Sequence, residues 1–287
     1  MRADAGEEES ARLSHVWGQA FPEGYKEDFP PRVAVADLKR IEEVDPTHPE
    51  AIGMNLYEPV GAPPSIRRFK LYRWAPLSLT RVLPYLSNLG VEVVDERPYE
   101  LQRTEGGNAY IYDFGLRYAA DVGPLEQARQ NFCDAFAAAW QGEAESDGFD
   151  RLVLGGGLRW RQVVALRAYA RYLRQTGTTF SQEYVESCLC THVGITQKLV
   201  ALFEARFDPG RFTGSDGRRL REQVTEELAQ QIRKALDDVA SLDHDRILRS
   251  FLGLILATLR TNAFRTDPDT GQRLRYMSFK LNPRAVP

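Results

Sequence analysis

The stretch VEVVDERPYELQRTEGGNAYIYDFGLRY, residues 91–118, decides the fold. Both of its ends carry the β-branched and aromatic residues of strands, and the Gly-Gly-Asn between them is a turn. A β-hairpin over 91–101 and 109–118 is therefore expected. Just upstream, Leu79, Val82, Leu83, Leu86 and Leu89 recur at helical spacing, with Pro84 as a kink and Gly90 free to take the left-handed cap conformation. Two more strands are expected at Ala51–Tyr57 and Ile66–Arg73, separated by the turn-forming EPVGAPPS. A helix at about 124–141 follows the hairpin, with Pro124 in its first turn and Gly142 past its end. The order β-α-β-β-α is ferredoxin-like without its last strand, and the strand at 51–57 is expected to fill that place. Tyr110, Tyr112, Phe114, Leu116 and Tyr118 alternate onto one face, which should be buried against helices.

Outside that block the pattern is helical. Pro30 and Pro31 open a short helix through RVAVADLKRIEEV, and residues 1–23 show little pattern. From about 150 onward Val163, Leu166, Ala170 and Leu173 mark one helix, and Thr179 with Gln182 offers a capping box for the next. Leu220, Val224, Leu228, Ile232, Ala235 and Val239 mark another amphipathic helix. Asp243 can cap the last long helix, with Ile247, Leu248, Phe251, Leu252, Ile255 and Leu259 facing inward. A hairpin around TDPDTG then ends in a strand with Met277, Phe279 and Leu281 on one face. The fold class expected is thus α+β: a ferredoxin-like antiparallel sheet with helices, then an all-helical domain and a C-terminal β-hairpin. The boundaries expected are 1–50, 51–141, 142–263 and 264–287.

Composition narrows the function. A 43% hydrophobic fraction with 14 Phe and 12 Tyr describes a folded globular protein. The net charge of −3 gives no overall positive field, so neither nucleic acid nor an anionic membrane is an expected partner. FLGLILATL (251–259) is too short for a membrane span. Three cysteines make no disulfide framework and MRADAGEEESARLSH is not a signal peptide, so a cytoplasmic location is expected.

Several motifs look chemical and are weaker on inspection. RLVLGGGLRW (151–160) places Gly155 and Gly157 as a dinucleotide loop would, but Trp160 occupies the last glycine position and no strand–helix–strand repeat surrounds it. A joint between helices is the better reading. In CLCTH (188–192), Cys188 and His192 share a helical face while Cys190 points away, so buried residues are expected rather than a metal site. The aromatic strand lacks the Lys/Arg-Gly-aromatic signature of an RNA-stacking surface. Arg167, Arg171 and Arg174 form a stripe expected to meet solvent or acidic neighbours, and Asp243-His244-Asp245 complements a helix start.

RFKLYR (68–73), LPYLSNLGVEVVDERPYEL (83–101), IYDFGLRY (111–118) and SLDHDRILRSFLGLILATLRTN (241–262) resemble the large NAD-specific glutamate dehydrogenases of bacteria, in the part that precedes their catalytic domain. The resemblance begins near GYKEDF (24–29). It implies an ACT-like identity for the ferredoxin-like block and a parent enzyme that converts L-glutamate, NAD and water to 2-oxoglutarate, ammonia and NADH. It also implies a homo-oligomer, and a terminal RYMSFKLNPRAVP leading into a catalytic domain beyond Pro287. The chain itself is then expected to hold no catalytic, NAD-binding or metal residues and to act structurally or in regulation. The GGLRW at 156–160 has a counterpart in the catalytic part of such enzymes. Here no lysine lies between Lys70 and Lys198, so the amine needed to act on an amino acid is missing.

In ACT modules an amino-acid effector sits beside the loop after the first strand and the turn after the first helix. Those positions are Arg73 to Pro76 and Asn88 to Gly90, which makes Arg73, Asn88 and Gly90 the candidate effector contacts. Trp74, Ala75 and Pro76 stand where ligand-binding members carry glycine. The alternative is a free-standing ACT-like protein that senses amino acids or binds a partner.

Overall fold

The structure, a computed structural model, describes residues 11–104, 106–118 and 125–286. The chain divides into two compact units, Met1–Ser87 with Val91–Asp121, and Asn88–Gly90 with Val122–Pro287.

In the first unit, helices α1 (11–17), α2 (Glu23–Asp28) and α3 (Pro31–Glu42) precede β1 (Gly53–Tyr57) and β2 (Ile66–Arg73). Then come α4 (Leu79–Asn88), β3 (Val91–Leu101) and β4 (Ala109–Tyr118). The four strands form an antiparallel sheet in the order β1-β2-β4-β3. The upstream strand β1 pairs with β2 as the missing ferredoxin strand would, bringing Asn55 opposite Lys70 and Leu56 opposite Phe69. Helix α4 runs through Pro84, and Gly90 takes φ +84° as it turns into β3.

Because strand side chains alternate, each face of this sheet has its own covering. Phe69, Leu71, Phe114 and Leu116 are fully buried on one face, as are Val82 and Leu86 on α4. The other face is also buried, which the sequence reading did not foresee. Tyr72, Ile111, Tyr99 and Leu101 share a core with Trp17, Tyr25, Leu38, Ile41 and Val44 from α1–α3 and the residues that follow. The N-terminal helices are therefore part of the sheet's own core.

The second unit contains α5 (Leu125–Trp140), a 3₁₀ turn at Gly148–Asp150, α6 (Arg151–Gly155), α7 (Trp160–Gln175), α8 (Gln182–Thr191) and α9 (Val193–Phe207). It continues with α10 (Gly217–Leu236), α11 (Leu242–Ala257), β5 (Thr258–Thr261) and β6 (Phe279–Leu281). Gly142 follows α5 at φ +70°; Pro124 lies outside the described residues.

Three local expectations need correction. Ser181, not Thr179, caps α8, accepting from Tyr184 N at 3.2 Å. Ser241, not Asp243, caps α11, accepting from His244 N at 3.3 Å, while Asp243 and Asp245 lie in the first turn. Leu259 is 57% exposed because α11 ends at Ala257 and the chain continues as β5. The helical period ran one step past the helix. β6 pairs with β5 and sets Phe279 4.6 Å from the Tyr169 ring, so the terminal strand has a partner inside the unit.

Candidate functional site

The most unusual chemistry in the first unit is a charged cluster inside the core. Lys70 sits in the middle of β2 and Asp37 in the middle of α3, with side chains 1% and 2% exposed and 2.5 Å apart. Asp37 also accepts from Tyr25 Oη and Tyr72 Oη, each at 2.7 Å. The ammonium of Lys70 lies 3.6 Å from the Phe29 ring centroid and 5.5 Å from those of Tyr25 and Tyr57. A buried charge needs a counter-charge and hydrogen bonds, and an aromatic face adds attraction to a cation. Both are supplied here. Burial beside the Asp37 carboxylate pushes the Tyr25 and Tyr72 hydroxyls far above the ordinary phenol range.

Beside Lys70 in the sheet register stands Asp113, fully buried. It accepts from Tyr57 Oη at 2.8 Å and Arg68 Nε at 2.9 Å, and Arg68 reaches on to Asp95 at 2.9 Å. Burial raises the Asp113 carboxyl and Arg68 opposes the rise. With Lys70, Asp37 and Asp113 buried and matched, this network fastens α2 and α3 to the sheet. Its lysine is too engaged to act on a substrate.

Of the candidate effector residues, Arg73 belongs to the first unit and Asn88 and Gly90 to the second. Arg73 is buried and donates to the carbonyls of Pro49 and Pro76. Asn88 and Gly90 group with the second unit, where Asn88 Nδ2 donates to Ser146 Oγ at 3.1 Å. Trp74 donates to Val44 O at 2.8 Å.

In the second unit, Arg167 is buried and donates to Asp147 and to Asp150, while Arg171 pairs with Glu145 and Arg174 donates to Gln182. Arg167 and Arg171 thus meet acidic neighbours, while Arg174 meets the neutral Gln182 amide. Cys188 is buried and its thiol is pushed up to about 12 by that burial. His192 Nε2 lies 3.0 Å from His244 Nδ1.

Arg159 and Trp160, which end the GGGLRW joint, line a cavity of about 210 Å³. Gly157, at φ +62°, turns the chain into α7, and Asn131 Nδ2 donates to its carbonyl at 3.2 Å. Trp160, Arg161 and Gln162, the first residues of α7, form one wall; Phe203 and Glu204 of α9 form a second. The third wall is the 263–277 segment, including Phe264, Arg273 and Arg275. The cavity is not legible in the sequence of the loop, because its third wall lies about a hundred residues away in the chain.

The comparisons with known proteins agree with the architecture. Family models match four successive segments: glutamate dehydrogenase helical motif 2 at residues 1–44, the ACT3 domain at 51–130, and helical motif 3 at 144–209. The fourth, at 231–287, is the catalytic domain of bacterial NAD-glutamate dehydrogenase. By sequence the chain corresponds to a segment of the large NAD-specific glutamate dehydrogenases. It is 42% identical over 98% of its length to the NAD-specific glutamate dehydrogenase of Halomonas elongata, and 41% identical to that of Pseudomonas aeruginosa. It is 37% identical to that of Mycobacterium tuberculosis. The chain spans 17% of the length of each of these relatives.

Proposed function

We propose that this chain is a non-catalytic structural and regulatory segment of an NAD-dependent glutamate dehydrogenase, which turns L-glutamate, NAD and water into 2-oxoglutarate, ammonia and NADH. The observation that carries the proposal is the order of the matched segments: helical motif, ACT3 domain, helical motif and then residues of a catalytic domain. The division proposed is an extension to residue 50, an ACT-like domain over 51–141, a helical domain over 142–263 and a hairpin from 264. NAD and the catalytic groups belong to the rest of the enzyme, a cytoplasmic homo-oligomer in this reading.

The first unit's chemistry supports a scaffold role. Its most polar interior groups, Lys70, Asp37, Asp113 and Arg68, are all engaged with one another or with tyrosines. An amino-acid effector at the loop after β2 would have to draw Arg73 away from the Pro49 and Pro76 carbonyls. The test is calorimetric titration of the 287-residue chain with NAD and with L-glutamate, plus an absorbance assay for NADH. Neither NAD binding nor turnover is expected. Turnover abolished by Trp160→Ala would sink the proposal. Amino-acid binding that Arg73→Ala weakens would assign the effector contact.

A further inference from the structure

The cavity at the start of α7 has two cationic groups facing it with no carboxylate partner among the described residues. Arg161, from the first turn of α7, lies with its guanidinium 4.2 Å from the Trp160 ring centroid. Arg273, from the segment after α11, lies 5.1 Å from the Phe264 ring centroid and donates one N–H to Ala263 O at 3.1 Å. Stacking occupies the flat faces of a guanidinium and leaves its N–H edge available, which is the edge that grips a carboxylate or a phosphate bidentately.

The carboxylates of the cavity wall are engaged elsewhere. Glu204 accepts from Arg159 and Gln162, each at 2.7 Å, and Asp208 accepts from Gly210 N at 2.9 Å. Asp134 accepts from Gln130 at 2.7 Å. Glu143 sits 3.8 Å from Arg275 and acts on Arg161 only at longer range. Arg161 and Arg273 meanwhile repel each other, and burial with that repulsion lowers the Arg161 pKa. Two like charges aimed at one open space are relieved by an anion between them. The positive end of the sixteen-residue helix α7 adds to the same field. The space, about 210 Å³, is far more than one water needs, roughly 10–15 Å³ on a comparable measure.

We propose that this cavity binds a small multivalent oxyanion, a dicarboxylate or a phosphate, clamped between Arg161 and Arg273. The two arginines come from different matched segments, Arg161 from helical motif 3 and Arg273 from the catalytic-domain match. An anion held by both fastens the 263–277 segment to α7 and α9. Occupancy therefore favours the arrangement of that segment that brings Arg273 to the cavity, to the extent that the anion binds it better than any other. The proposal stands apart from the enzyme reading, since its test needs no activity.

The 287-residue chain is titrated with sodium phosphate and, separately, with sodium succinate, using sodium chloride at matched ionic strength to remove general screening. Binding is followed by calorimetry, and amide hydrogen exchange is measured across 263–278. Saturable millimolar or tighter binding of either anion is expected, with slowed exchange in that segment. Arg161→Gln and Arg273→Gln should each weaken it roughly tenfold or more, the loss expected for a charge-assisted contact. Arg273 is on the exposed segment, so its variant keeps the test valid if Arg161→Gln fails to fold. Arg171→Gln, which changes an arginine paired with Glu145, should leave binding unchanged. Response to phosphate alone assigns a phosphate-bearing ligand, and response to succinate alone assigns a carboxylate. No saturable response to either anion up to about 20 mM, beyond any useful affinity, overturns the proposal. So does equal binding by both arginine variants.

Discussion

Removing Asp37 should strip the first unit of much of its stability. In Asp37→Ala the ammonium of Lys70, 1% exposed, loses the one carboxylate within ion-pair range among the described residues. Tyr25 and Tyr72 each lose the acceptor 2.7 Å from the hydroxyl. Breaking a buried ion pair from one side costs roughly 3–5 kcal/mol, because the surviving charge stays desolvated. The Phe29 ring 3.6 Å away does not offset this, since it attracts the ammonium equally before the change. A loss of about 4 kcal/mol is therefore expected, set against the roughly 5–15 kcal/mol that holds an ordinary domain folded. Asp37→Asn with Lys70→Met should cost less than Asp37→Ala alone. It removes both charges and leaves an amide oxygen for one tyrosine.

The assay is urea unfolding followed by tryptophan emission, since Trp17 is buried in the same core and Trp74 packs against it. The two units can unfold separately, so the transition assigned to the first is the one that moves. A loss below about 1 kcal/mol for Asp37→Ala would refute the argument, because a mere surface pair is worth that much. A double variant as unstable as the single one would show that shape, not charge, sets the cost.

Three further outcomes follow from the second unit. Arg167→Ala should cost about 3 kcal/mol near neutral pH, since it leaves Asp147 and Asp150 without their common partner. Burial already raises the Asp150 carboxyl while Arg167 opposes the rise, so the native state holds its proton more tightly than the unfolded chain. Stability from that proton is present at low pH and is lost as pH climbs through the raised value. Without Arg167 that rise is unopposed, so the variant gains more from protonation than the wild type and its defect should shrink on acidification, read from unfolding midpoints at several pH values. Ser241→Ala should cost about 1 kcal/mol through loss of the α11 cap, and Asp243→Asn less, measured by thermal unfolding. Cys188, buried with its thiol raised to about 12, should react with a maleimide at pH 8 more slowly than Cys133, judged by mass spectrometry of labelled peptides.

The ferredoxin-like block was legible because its signals are local. A Gly-Gly-Asn turn, a helical leucine stripe and a glycine stop fix neighbouring elements, and the antiparallel pairing of β3 with β4 follows from their short connection. The caps were harder. Thr179, Ser181, Ser241 and Asp243 are all good capping types, and which one closes a helix depends on where the first turn begins, by one or two residues.

By itself the sequence determined the strands, most helices, the place of β1 beside β2 and the glutamate dehydrogenase resemblance that the comparisons bear out. Tertiary structure alone decided what covers the second face of the sheet. Arg68, Lys70 and Asp113 alternate with apolar neighbours along β2 and β4; Arg68 and Asp113 pair within the sheet, while α3 brings Asp37 to Lys70 and α2 brings Tyr25 to the same carboxylate. Polar residues in a strand record only that one face is not purely apolar. Whether water or a counter-charge satisfies them depends on a helix some thirty residues away in the chain. The same reason hid the Arg161–Arg273 cavity, whose walls meet only when the chain between them has folded back.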